Sequence, residues 1–208
     1  FPTRRSSDLN KLGVDMLSAS AHKFFGPKGV GFLYVRKGVK PYPRISGGGQ
    51  EKGLRGGTEN VAAIASMAKA LEISLSHLKD NSETVKLRDM IIDGISGLPY
   101  CILTGDKEKR LPGHASFLVD SLEGEEMVLA LDLKGICVSS TSACSSGALE
   151  PSHVLLAMGY PRDAASSALR ITINEYNTEK EADIIIKTVK ETVNELRSAS
   201  ALWNLRHK

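Results

Sequence analysis

The sequence predicts an α/β protein in two parts, the closing strands of a larger α/β layer followed by a small α+β domain. Three observations carry this. Two short apolar runs, residues 14–20 and 30–35, bracket a turn but have too few companions before residue 60 to close a sheet. Two stretches of helical apolar period then run from 61 to 95. From Leu98 onward, strand-like and helix-like segments alternate in the manner of a compact α+β domain. The expected division is therefore residues 10–96 and 97–208, with residues 1–9 set apart.

In chain order, "FPTRRSSDL" has no strand or helix period and a polar composition suited to disorder. It reads as the translation of a sequencing-adapter oligonucleotide, so the natural sequence is expected to resume near Asn10, as the tail of a longer gene. Residues 14–20 read as a short buried strand and 30–35 ("VGFLYV") as its neighbour. Residues 41–60, with two prolines and six glycines, cannot be regular structure, and a connector of that length is more often functional than passive. Thr58 or Asn60 caps a helix over "VAAIASMAKALEISLSHL", and a second helix runs over 82–95. "YCILTG", "HASFLVD" and "GICVSS" look like strands, the last two separated by a helix that opens on acids and stops at Gly135. A helix at "PSHVLLAMGY" carries Pro151 at a first-turn position. "ALRITIN" is a strand, and a long amphipathic helix starts at Thr178.

Composition narrows the function classes. The chain has 208 residues, 41% hydrophobic and 25% charged, ordinary globular proportions with length enough for a real core. The net charge of +3 is scattered, without the basic stripe of a nucleic-acid binder. No apolar run approaches a membrane span or a secretory core. Cys101, Cys137 and Cys144 are an odd, irregularly spaced set, which argues against a disulfide framework and fits a reducing, cytoplasmic setting.

Three places could carry chemistry. Lys23, in "SASAHKFFGPKGVG" (residues 18–31), sits between apolar strands, flanked by Ser20 and His22 and followed by glycines that let the backbone turn away. A lysine so placed can form a Schiff base with an aldehyde cofactor while the hydroxyl and imidazole hold a phosphate, a pairing that pyridoxal 5'-phosphate presents. A solvated surface charge is the plain alternative, and "GPKGVG" lacks the GK[ST] ending of a phosphate loop. Cys144 lies among small polar residues in "SSTSACSSGALEPSH", where a thiol can approach a substrate and swing away, whereas Cys137 and Cys101 sit in strand patterns and read as core packing. Arg170, in "ALRITIN", is either an edge or surface arginine or a planar fork for a substrate carboxylate. His77, His114, His153 and His207 read as surface or capping residues.

Taken together, "VDMLSASAHKFFGPKGVGFLYVRKG", "GGGQEKGLRGGTEN", "GICVSSTSACSSGALEPSHVLLAMG" and "LRITINEYNTEKEAD" resemble group I cysteine desulfurases, fold-type I enzymes related to class V aminotransferases, in the family's order and over residues 10–196. The resemblance implies the end of the family's aspartate aminotransferase-like large domain, followed by its small domain carrying the cysteine loop. It implies pyridoxal 5'-phosphate as cofactor, with Lys23 as the Schiff-base lysine, Ser20 and His22 as phosphate ligands, and Thr58 reaching the cofactor phosphate of a partner subunit in a homodimer. It further implies Cys144 as the sulfur acceptor and Arg170 as the grip on the α-carboxylate of L-cysteine. Sulfur would pass to an iron–sulfur scaffold or a tRNA-thiolating protein, with no resident metal and only a transient contact of Cys144 with a cluster.

Relatives often read Ser-Leu-Gly where this chain has Thr172, Ile173 and Asn174, a change that bears on how snugly the carboxylate sits. Family members are about twice as long, and their N-terminal half supplies the ring-stacking histidine and the pyridine-pairing aspartate. This chain is therefore expected to be inactive alone. A selenocysteine lyase, another class V aminotransferase relative, and a non-catalytic fragment remain the alternatives.

Overall fold

The computed structural model describes residues 9–78, 80–141 and 150–206. They fall into two units divided between Asp80 and Asn81.

The first unit holds α1 (Leu9–Leu12), β1 (Met16–Ser20), β2 (Gly31–Val35) and α2 (Val61–His77). β1 and β2 pair antiparallel, with Met16 opposite Val35 and Ser20 opposite Gly31. A β-carbon at position 31 would overlap the Ala19 carbonyl oxygen, so the strands can approach there only over glycine. Where the sequence leads one to expect a buried strand, β1 alternates between exposed and half-buried residues. The reason is that β2 is its only strand partner among the described residues. α2 is capped by Asn60, whose side chain accepts from the Ala63 N–H at 3.2 Å, leaving Thr58 outside the cap. Although α2 is rich in Ala, Ile and Leu, none of its residues is buried.

The second unit begins one helix earlier than the expected boundary at 96/97. α3 (Ser82–Ser96) buries Leu87, Ile91, Ile92 and Ile95 in this unit's core, against α7 (Glu179–Ala199) with its Ala182, Val189 and Val193. The helical apolar stripe of α3 thus belongs to the C-terminal unit. The core is completed by one face of an antiparallel sheet, in order β3 (Cys101–Leu103), β4 (His114–Val119), β5 (Ala168–Thr172), and by Met127 and Leu131 of α4 (Gly124–Asp132). On β4 and β5, Ala115, Phe117, Val119, Leu169 and Ile171 face this core. The residues between them face the other way, and there Leu118 and Ala168 form a second small cluster with Leu155 of α5 (His153–Ala157) and Ala165 of α6 (Arg162–Ser166).

Three sequence expectations change here. "GICVSS" is not a strand: after Gly135 turns the chain at φ 80°, only an isolated bridge joins Ser139 to Arg170. Cys137 is exposed, because Ile136 and Val138 pack against the core and the residue between them is out of phase. Pro151 lies ahead of α5 and its flanking Ser152, outside the first turn, and Gly159 at φ 90° stops the chain shortly after that helix. α7 starts as read from sequence, with a capping box in which Thr178 and Glu181 satisfy each other's backbone N–H groups.

Candidate active site

Lys23 stands on a single 3-10 turn, Ala21–Phe24, that links β1 to β2. The turn is pinned from within. Ala21 and Phe24 are fully buried, the Ala21 N–H donates to the Val30 carbonyl at 3.0 Å, and the Gly26 N–H donates to the Ala21 carbonyl at 2.9 Å. Phe25 closes the turn in the left-handed region at φ 64°, and Ser74 of α2 donates its hydroxyl to the Phe24 carbonyl at 3.2 Å. With Ala21 and Phe24 turned inward, His22 and Lys23 are exposed, as is Ser20 just before them. One rigid turn therefore presents a hydroxyl, an imidazole and an amine together. Neither the 3-10 geometry nor the Ser74 brace is signalled by the local sequence.

Thr58 is exposed at the end of the glycine-rich loop, two residues before the Asn60 cap. That loop crosses itself where a β-carbon on Gly56 would lie 2.8 Å from the Gly47 Cα, a contact that glycine alone permits. Cys144 lies outside the described residues.

Arg170 is neither on an open edge nor on the surface. It is half-buried in a cavity of about 280 Å³ within the second unit, and burial pulls its guanidinium below the ordinary arginine value. The same cavity is lined by Thr104, His114 and Ser116 and by the loop residues Asp106, Lys109 and Arg110. The residues of β4 and β5 that face away from the main core make its floor. Its wall is the 104–113 loop, which Arg110 braces by donating to the carbonyls of Asp106 (2.7 Å), Thr104 (2.9 Å) and His114 (3.3 Å). Asp106 accepts from the N–H groups of Glu108 and Lys109, which hold its carboxyl below the usual carboxylate range. Arg88 donates to the Leu111 carbonyl at 3.4 Å, tying the loop to α3.

His114, expected at the surface or on a cap, is half-buried here. Desolvation, followed by the nearby Arg110 and Arg170 charges, holds its imidazole below the ordinary histidine range. Among the described residues no carboxylate forms an ion pair with Arg170, so the cavity concentrates positive charge. Such a site suits an anion. Cys101, by contrast, is packed against the main core, and burial pushes its thiol up to about 11 against the opposing pull of Arg197.

The model of the class-V aminotransferases matches residues 3–185. The chain is 44% identical over 197 residues to a protein of Archaeoglobus fulgidus named cysteine desulfurase IscS 1, covering 94% of this chain and 52% of that protein. It is 43% identical over 199 residues to cysteine desulfurase NifS of Azotobacter vinelandii, covering 95% and 50%. Among solved structures, a NifS-like protein superimposes with a TM-score of 0.79 at 40% identity, over 89% of this chain and 48% of that one. The chain spans about half the length of the curated relatives it matches. With the family model covering most of its residues, and with relatives and a structural neighbour agreeing, this chain belongs to the class-V aminotransferases.

Proposed function

We propose that the chain is the C-terminal half of a cysteine desulfurase, which takes sulfur from L-cysteine, releases L-alanine and leaves a persulfide on Cys144. The observation that carries this reading is the turn that presents Ser20, His22 and Lys23 side by side, in a chain whose relatives bear that name. The donor set fits pyridoxal phosphate: an amine for the aldehyde, and a hydroxyl and an imidazole for the phosphate. All three side chains are exposed at a turn whose backbone is fixed by buried Ala21 and Phe24. Bound there, the cofactor supplies an electron sink for the substrate's α-carbon.

The chain's own residues do the rest. Lys23, released from the aldehyde, removes the α-proton. Arg170 pairs with the α-carboxylate through its planar fork, in a cavity whose burial strengthens the pairing. The thiolate of Cys144 attacks the substrate sulfur. An S–S bond forms, the C–S bond breaks, and the carbon keeps the electron pair and is protonated to alanine. The cysteine-loop persulfide then passes its outer sulfur to an iron–sulfur scaffold or a tRNA-thiolating protein. Thr58 reaches the cofactor phosphate of a second subunit in a homodimer, and the unburied apolar helix α2 is the kind of surface that such a subunit, or the rest of the large domain, would cover.

The test is borohydride reduction of the chain with pyridoxal phosphate, followed by peptide mass spectrometry. A single pyridoxyl group on Lys23, lost in Lys23→Ala, is the expected result. Labelling spread over surface lysines overturns the assignment of this turn. In the full-length protein, Cys144→Ser is expected to abolish persulfide formation from L-cysteine.

A further inference from the structure

The cavity floor is one face of a two-strand ladder, and its register sets which side chains can act together. Ser116 of β4 stands opposite Arg170 of β5, and His114 stands opposite Thr172. His114 and Arg170 are thus diagonal neighbours on one face, about 7–8 Å apart at the backbone, a spacing that long side chains close easily. Both line the cavity, and each is within the other's field.

The surroundings favour an anion between them. From the 104–113 loop, Arg110 faces His114 with its donors committed to three backbone carbonyls, so its charge is felt while its N–H groups are spent. Lys109 also lines the cavity, and the single carboxylate there, Asp106, is occupied by two backbone N–H groups. α5 contributes only the apolar Val154 and Leu155, and Ser140 and Thr141 add hydroxyls without charge. A histidine set among these cations stays neutral while the cavity lacks an anion, and its ring gains most from protonation when one arrives.

We propose that His114 is a second anion-binding residue of this cavity, hydrogen-bonding the same carboxylate that Arg170 pairs with and taking up a proton from solvent as that group binds. This rests on the reading of Arg170 as the carboxylate site and adds a partner and a pH dependence to it. Carboxylate binding and protonation of His114 then strengthen each other by the same factor, as linkage requires.

The experiment uses the 208-residue chain and acetate as the carboxylate probe at constant ionic strength. The His114 ring resonance is identified by its loss in His114→Asn and followed by NMR from pH 5 to 8.5. Acetate is expected to bind more tightly at the acid end, by about fivefold or more across the titration of His114, the lower range for coupled sites. Saturating acetate should raise the midpoint of His114. His114→Asn should bind acetate with a flat pH profile, and Arg170→Gln should bind none at any pH. A His114 midpoint that acetate leaves in place, with binding still abolished by Arg170→Gln, overturns the role of His114 and leaves the Arg170 reading standing. Absence of acetate binding to the unsubstituted chain overturns both. The histidine titration is read on the unsubstituted chain, so the result survives poor folding of either variant.

Discussion

At the scale of single residues, His114 links the cavity to stability. Its imidazole is held below the ordinary value near 6.5, so below that value the unfolded chain binds the proton more readily than the folded one. Stability should therefore fall as pH drops through about 6.5, the ordinary histidine value. Denaturant unfolding at pH 7.5 and 5.5 should show a smaller loss in His114→Asn than in the unsubstituted chain. The two described thiols should separate equally clearly. Iodoacetamide at pH 8, followed by peptide mapping, should alkylate exposed Cys137 well before Cys101, which is both buried and pushed up to about 11. Lys23 can be picked out in the sequence because Ser20 and His22 flank it within a few positions. His114 cannot, because what distinguishes it is Arg170, which lies far along the chain and meets it only through strand register. Cys137 misleads for a smaller reason: its neighbours are apolar, and phase alone decides which of three adjacent residues faces out.

At the scale of elements, the capping box and the cavity loop each have a replaceable part. Thr178→Ala should cost about 1 kcal/mol in urea unfolding, the usual worth of an N-cap side chain. Gly113→Ala should cost more, because a β-carbon there would overlap the Ile173 carbonyl oxygen. The same glycine's carbonyl accepts from the Ile173 N–H at 2.9 Å, so a shift would also loosen the join between the loop and β5. The helices and most strands are readable from periodicity, since α3 and α7 bury clean apolar stripes. The short pieces are not. The 3-10 turn and α6 are each one turn or little more, fixed by packing rather than by pattern.

At the scale of the whole molecule, the two units differ in what holds them. Of the buried hydrophobic residues, only Ala21 and Phe24 belong to the first unit; the rest form the core of the second. Hydrogen exchange should therefore show strong protection across α3, β4, β5 and α7, and weak protection across β1, β2 and α2. Comparable protection in both would mean that the first unit is held by contacts beyond its own core. Two parts are legible in the sequence, but the allegiance of α3 is not. A helix between two units has one apolar stripe, and which unit receives that stripe is settled only by packing.

The alternation along β4 and β5 has one more consequence. Leu169 and Ile171 fill the core while Arg170 between them reaches the cavity, and Ala115 and Phe117 do the same around Ser116. A slip of one residue in either strand would push a charge into the core and an apolar side chain into the cavity. No chain can therefore carry the anion site without also having the correct core. Measured site occupancy in a preparation would count properly folded molecules, and misassembled ones would report themselves by their silence.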